Sequence, residues 1–204
     1  MDIEITFINN SNDMNNSNVV IFQKNVATNF ESTTIAWTVI KNCGRNWSHK
    51  FLYPMQFDVA AADSYGNLSN KPVAVNGQKW SVARSNSGDV LQLDTAPSSN
   101  SNEVEIQNDL RTGSIDAQIY KDGKLLATKT GVSPGEKAIF EFLPKIYVGV
   151  ASQIEEGDTM NSAILTEMNQ EFSLLGLSSA NLIMTGGGVG PNATPFVFNL
   201  VPTA

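Results

Sequence analysis

The sequence predicts an all-β protein: a duplicated, Ig-like antiparallel β-sandwich of two related halves, separate or intertwined, with little helix. Three observations lead there. Short β-branched and aromatic runs recur at the spacing of sandwich strands. The stretches between them are rich in Asn, Ser and Gly, which favour turns over helix faces. Several phrases of the first half then return, in the same order, in the second.

Taken along the chain, the runs IEITFI (3–8), NVVIFQ (18–23), TTIAWTVI (33–40), MQFDVAA (55–61) and DVLQLD (89–94) read as strands. SIDAQIY (114–120), LLATKT (125–130), KAIFEFL (137–143), IYVGVA (146–151) and FVFNLV (196–201) continue the style. Lys121-Asp122-Gly123-Lys124 and Ser133-Pro134-Gly135-Glu136 punctuate them as turns. The one helical period is in MNSAILTEMNQEF (160–172), where Ile164, Met168 and Phe172 fall four apart. TGGGVGPN (185–192) lacks the GK[ST] of a phosphate loop and precedes a strand, so it reads as a glycine turn.

The repeat sets FLYPMQFDVAAADSYGN (51–67) over FLPKIYVGVASQIEEGD (142–158), NGQKWSV (76–82) over MNQEFSL (168–174), and SGDVLQL (87–93) over SANLIMT (179–185). SNVVIFQKN (17–25) falls over SIDAQIYKD (114–122), and IEI (3–5) over VEI (104–106). TAPSSNSNE (95–103), at the join, has linker composition. The expected organisation is a first β-sandwich repeat at 1–95, a linker at 96–103 and a second repeat at 104–204.

Charge removes several function classes. The formal net charge is −7 with no Lys/Arg cluster, whereas counterion release on nucleic acid needs clustered cations. No nucleic-acid partner is expected. Charged residues make up 16% of the chain against about 25% in ordinary domains, so the surface is built largely from uncharged amides and hydroxyls. MDIEITFINN lacks the basic and apolar regions of a signal peptide, which predicts synthesis in the cytoplasm, with a non-classical route the means of any release.

NCGRNWSHKFLYP (42–54) gathers the only cysteine, Cys43, and the only histidine, His49. The ungapped repeat places Gly44 over Gly135, Arg45 over Glu136 and His49 over Phe140. His49 is then expected inside, beside Trp47 and Phe51, with Cys43 in the preceding turn. Six extended residues span about 20 Å, too far for a Cys–His dyad, and Ser48 and His49 face opposite ways. No catalytic residue and no enzymatic activity are expected. One histidine also falls short of a zinc or a two-His-one-carboxylate iron set, so no metal or other cofactor is expected. Calcium needs only oxygens, and Asp58, Asp63 and Asn67 form a weaker alternative set for it.

The tryptophans are unevenly placed: Trp37, Trp47 and Trp80 are all in the first half. Trp37 and Trp80 are expected as core anchors. Arg45, Asn46, Trp47, Lys50 and Tyr53 are the candidate ligand-binding patch, because Trp, Tyr and Arg combine large area with polar handles. Aromatic faces stack on sugar rings, and amides bond to hydroxyls. The phrases NSNVVIFQKNVA (16–27), IYKDGKLLATKT (119–130) and TGGGVGPNATPF (185–196) resemble those of small uncharacterised bacterial β-rich proteins. Some of these are labelled aromatic ring-opening dioxygenase. For those so labelled the resemblance implies iron held through histidines; this chain offers His49 alone.

Three functions follow as expectations. The first is a non-enzymatic recognition protein, lectin- or toxin-like, whose partner is a surface glycan or a membrane component. The second is a pore-forming or membrane-active β-protein using segments 89–107 and 30–40. The third is a self-assembling structural or inclusion protein that forms a homo-oligomer through strand edges.

Overall fold

The protein is described by a computed structural model covering residues 2–27, 32–168 and 170–203. In chain order the strands are β1 (Ile3–Asn9), β2 (Asn18–Phe22), β3 (Thr33–Thr34), β4 (Thr38–Ile40), β5 (Ser48–Tyr53), β6 (Phe57–Asp63), β7 (Val73–Ala74), β8 (Gln78–Ser85) and β9 (Gly88–Pro97). They continue as β10 (Val104–Asn108), β11 (Ile115–Lys121), β12 (Lys124–Val132), β13 (Lys137–Phe140), β14 (Lys145–Ala151), β15 (Gln170–Ser173), β16 (Ser179–Gly187) and β17 (Thr194–Pro202). One short helix, α1 (Ser162–Glu167), lies between β14 and β15. The all-β sandwich class is therefore present.

The strands form two compact units, each with two sheets. The first unit takes residues 1–23, 36–55 and 144–204, and the second takes 24–35 and 56–143. In the first, one sheet runs β17-β16-β1-β5 and the other β15-β14-β2-β4. In the second, the sheets run β9-β8-β10-β13 and β7-β6-β11-β12-β3. The two orders coincide strand for strand, with β3 added at one edge. So do the directions: β1 with β16 and β10 with β8 are parallel, and every other named pairing is antiparallel.

Local detail repeats as well. Asn9 and Asn108 close the two strands beside the parallel pairing, both nearly free of solvent. Asn9 Oδ1 accepts from Ser11 N, and Asn108 Oδ1 from Leu110 N, each two residues on. Next come two matching turns. Trp47 N donates to Gly44 O with Asn46 at φ 66°, and Glu136 N donates to Ser133 O with Gly135 at φ 82°. A positive φ at the third turn position suits Gly or Asn, which explains both choices.

These matches correct the register expected from sequence. Asn46, not Gly44, stands where Gly135 stands; Trp47 matches Glu136, and Phe51 and Tyr53 match Phe140 and Phe142. The difference is two residues. Side chains alternate with period two, so the predicted face of each residue survives while its depth changes. His49, expected over Phe140, matches Ala138 instead and sits one step nearer the open end of its strand.

The compact units also differ from the expected domains at 1–95 and 104–204. Each half of the chain supplies strands to both units, and the 96–103 stretch lies inside the second unit rather than between domains. There Ser98 N donates to Gly77 O, Gly77 N to Glu103 O, and Ser99 N to Glu105 Oε1. Polar composition marked this segment as a linker; its hydrogen bonds make it a surface turn within the second unit. The run at 33–40 likewise splits: Thr33–Thr34 pairs with β12, whereas Trp37 and β4 belong to the first unit.

The first unit's core explains its register. β1 buries Ile3, Ile5 and Phe7 at alternate positions. Gln23, just past β2, meets Tyr53 of β5 across the sandwich, and Trp37 meets Phe51 and Tyr53 edge-on at 6.1 and 6.0 Å. Val20 and Phe22, on the other face of β2, are covered by Ile154, Met160 and Met168. The helix is shorter than the predicted 160–172. Asn161 caps it by accepting from Ile164 N, and Gln170–Ser173 pairs with β14 instead of continuing it; Asn169 lies outside the described residues. Met168 fills the space a β-carbon would take at Gly149. Overpacking a close-fitted site costs about 1–3 kcal/mol. Gly149→Ala is expected to lower the denaturation midpoint accordingly, while Gly44→Ala, with open space around it, leaves the midpoint unchanged.

Candidate functional site

The region that combines exposure with binding-type side chains is β5 and the turn before it. The turn exists because Asn9 holds it: Asn9 N donates to Trp47 O, Asn46 N to Asn9 O, and Asn9 Nδ2 to Cys43 O at 2.6 Å. Arg45, Asn46, Ser48, His49 and Lys50 are exposed. Trp47 is 68% exposed, whereas Trp37 and Trp80 are 0% and 6%. The three tryptophans thus divide into two core anchors, as expected, and one surface ring.

Tyr53 departs from the expected patch. It is buried at 1% exposure, its hydroxyl accepts from Gln23 Nε2 at 3.0 Å, and burial pushes its pKa up to about 12, partly offset by that hydrogen bond. Strand parity is the reason: Phe51 and Tyr53 point inward, while Lys50 and Leu52 point out. His49 departs in the other direction. It shares the inward parity and lies opposite Phe7, but near the strand's start it is exposed rather than packed. Cys43 is half-buried, and burial pushes its thiol up. Lys50 Nζ reaches Glu4 Oε1 at 2.9 Å, with both side chains in solvent, a geometry that contributes little stability.

Two of the three residues considered for calcium, Asp63 and Asn67, are committed to a turn of their own. Asp63 Oδ1 accepts from Tyr65 N and Asn67 N, and Oδ2 from Asn67 Nδ2. The Asn67 side chain and the backbone of this turn hold the Asp63 carboxyl below its ordinary range. Asp58, on β6, is raised by burial, with Lys71 opposing. Among the described residues, no three His, Cys, Asp or Glu side chains gather to hold a metal ion.

A second concave region, about 590 Å³, lies in the second unit and is lined by Lys79, Glu105, Gln107, Lys129, Glu136 and Lys137 among others. Sequence reasoning missed it, because its charges come from four strands and a turn far apart in the chain. Its interior is organised by Glu105, whose side chain is almost wholly covered and accepts from Lys137 Nζ at 2.9 Å and Ser99 N at 2.7 Å. Burial raises the Glu105 pKa, but the bonds from Lys137 and Ser99 more than offset it, so the carboxyl titrates below its ordinary value. A depressed carboxyl adds stability above its unfolded pKa and loses it as pH falls through the folded one. Acid titration of stability is therefore expected to be steeper in the native protein than in Glu105→Gln, followed by thermal unfolding between neutral and strongly acid pH. Equal slopes would remove Glu105 from the acid response.

Segment 89–107, expected as a membrane hairpin, contains β9 and β10, which lie on opposite sides of β8. Segment 30–40 includes Phe30 and Glu31, outside the described residues. No helix among the described residues is long and apolar enough to cross a membrane. Compared with protein-family models, curated proteins and solved structures, the chain matches none.

Proposed function

We propose that this is a non-enzymatic recognition protein whose turn and strand at 45–50 bind a glycan or another surface ligand, on a scaffold that arose by duplication. Trp47 carries the proposal. A ring 68% exposed on a turn tied down by Asn9 costs little entropy to present, and Arg45, Asn46 and Lys50 add exposed donors in the same turn and strand. The duplication is supported by the matched strand orders, the Asn9/Asn108 pair and the two matched turns.

The test uses the unequal burial of the tryptophans. With Trp37 and Trp80 in the core, quenching on ligand addition reports Trp47. Trp47→Ala is expected to keep stability within about 0.5 kcal/mol, as exposed substitutions do, and to abolish both quenching and retention on a glycan array. Array binding equal to that of the native protein would end the proposal.

A second reading, self-assembly, is favoured by exposed Val197 and Val201 on the edge strand β17. Sedimentation over a range of concentrations tests it, and a monomer throughout removes it. The membrane-active reading is tested by dye release from neutral, anionic and sterol-containing vesicles.

A further inference from the structure

β5 and β13 occupy the same place in their units, each at the edge of a sheet and paired on one side only. In the antiparallel ladders, residues facing the neighbour alternate with residues whose N–H and C=O face away. On β13 and its extension, Ile139 and Glu141 face away; on β5, Lys50 and Leu52 do.

The two edges are finished differently. In the second unit, the segment at 25–26 covers β13: Val26 N donates to Glu141 O at 2.9 Å. Asn25 lays its amide across the strand, with Nδ2 donating to Ile139 O at 2.9 Å and Oδ1 accepting from Glu141 N at 2.8 Å. That segment belongs to the first half of the chain. After β11, the corresponding point of the second half, the chain turns directly through Asp122 and Gly123 into β12 and supplies no such cover. Among the described residues, nothing bonds to the outward main chain of Lys50 or Leu52.

We propose that the free edge of β5 accepts an extended peptide strand bearing Asn followed by a small apolar residue, with acidic residues beside them. The bonding pattern comes from Asn25-Val26 in the second unit: one main-chain bond from Val26 N and two from the Asn25 side-chain amide. The acidic flank comes from charge: the chain carries −7, yet Arg45 stands in the turn that leads into this edge and among the described residues no acidic side chain pairs with it, while Lys50 is already met by Glu4. A second copy of β5 is a poorer occupant, because two-fold pairing centred on Lys50 sets like charges opposite each other, a known device against self-pairing. Strand addition of this kind draws affinity from the main chain and specificity from alternate side chains. The inference does not depend on the glycan proposal, since it uses the strand's edge and not the Trp47 ring.

The probe is an acetylated peptide, Glu-Asp-Gln-Glu-Asn-Val-Ala, added at up to about 1 mM, the range of weak strand addition, to the full chain. The expected result is slowed amide exchange at Leu52, read by NMR. Methylating the Val nitrogen of the probe, or changing its Asn to Ala, should each weaken binding about tenfold, as for one lost hydrogen bond. Leu52→Pro removes an outward N–H that the fold does not use, a position where an edge strand tolerates proline. It should keep the melting temperature and lose the peptide, while Trp47→Ala keeps the peptide. Unchanged exchange at Leu52, or equal binding by the methylated probe, overturns the proposal whether or not the proline variant folds. Concentration-dependent protection of Leu52 without peptide would assign the edge to a second copy and overturn it too.

Discussion

Asn108→Ala lowers the unfolding free energy by about 3–5 kcal/mol, the sum of several buried groups losing their partners at about 1–3 kcal/mol each. The side chain is fully buried. Its Nδ2 donates to Gly113 O and Val132 O, both at 2.9 Å, and its Oδ1 accepts from Leu110 N. Alanine leaves all three backbone groups without this partner, two of them, Val132 O and Leu110 N, in buried bonds and the third, Gly113 O, in a part-buried one. Asn108→Asp should be no better, because a carboxylate accepts where the two carbonyls need a donor. Asn9→Ala should cost less, about 2 kcal/mol, since one of its two buried bonds comes from the Ser11 hydroxyl, which can turn to another acceptor, rather than from a fixed backbone group. Chemical denaturation of the three variants checks the order. A loss below 1 kcal/mol at Asn108 would show that the strand end is held by packing alone.

Cleaving the chain between Asn100 and Ser101 leaves its two pieces bound together. The site is exposed, so an inserted protease sequence is accessible. The pieces, 1–100 and 101–204, each contribute strands to both units. In the first unit, β1 of one piece pairs with β16 of the other over six residues, and β2 pairs with β14. In the second, β8 pairs with β10, and β6 with β11. Separation requires opening both sandwiches, not a single interface. The cut protein should co-elute as one species by size exclusion, separate only in denaturant, and refold at a rate that rises with concentration. Pieces that part in native buffer would refute the exchanged pairing.

Much of this architecture was legible in the chain. The Asp122-Gly123 turn, with φ of 54° and 72°, follows from residues that tolerate the left-handed region. The turn at 133–136 and the glycine turn before β17 were equally readable; Gly186 and Gly187 take positive φ against Pro195 and Phe196, where a β-carbon would collide. Trp37 and Trp80 were recognisable as core. β8 and β16 were harder, because NGQKWSV and SANLIMT look alike to many strands. The sequence alignment set 76–82 over 168–174, whereas the shared strand order matches β8 to β16. Tyr53 and His49 exchanged their expected environments for one reason: parity could be read, but which end of β5 the core covers could not.

Sequence alone determined the class of structure, since alternation of apolar with polar residues and turn chemistry are local properties that no other arrangement satisfies as well. It also determined which turns would bend and which rings would seek the core. Only the tertiary structure decided which strands lie side by side. Equivalent strands from the two halves carry nearly the same pattern, so each could pair within its own half or with the other, and the pattern is satisfied either way. Bonds that join the halves select between them, such as Gln23 Nε2 to Lys145 O and the Asn25 amide to Ile139 and Glu141, and these act across more than a hundred residues of chain.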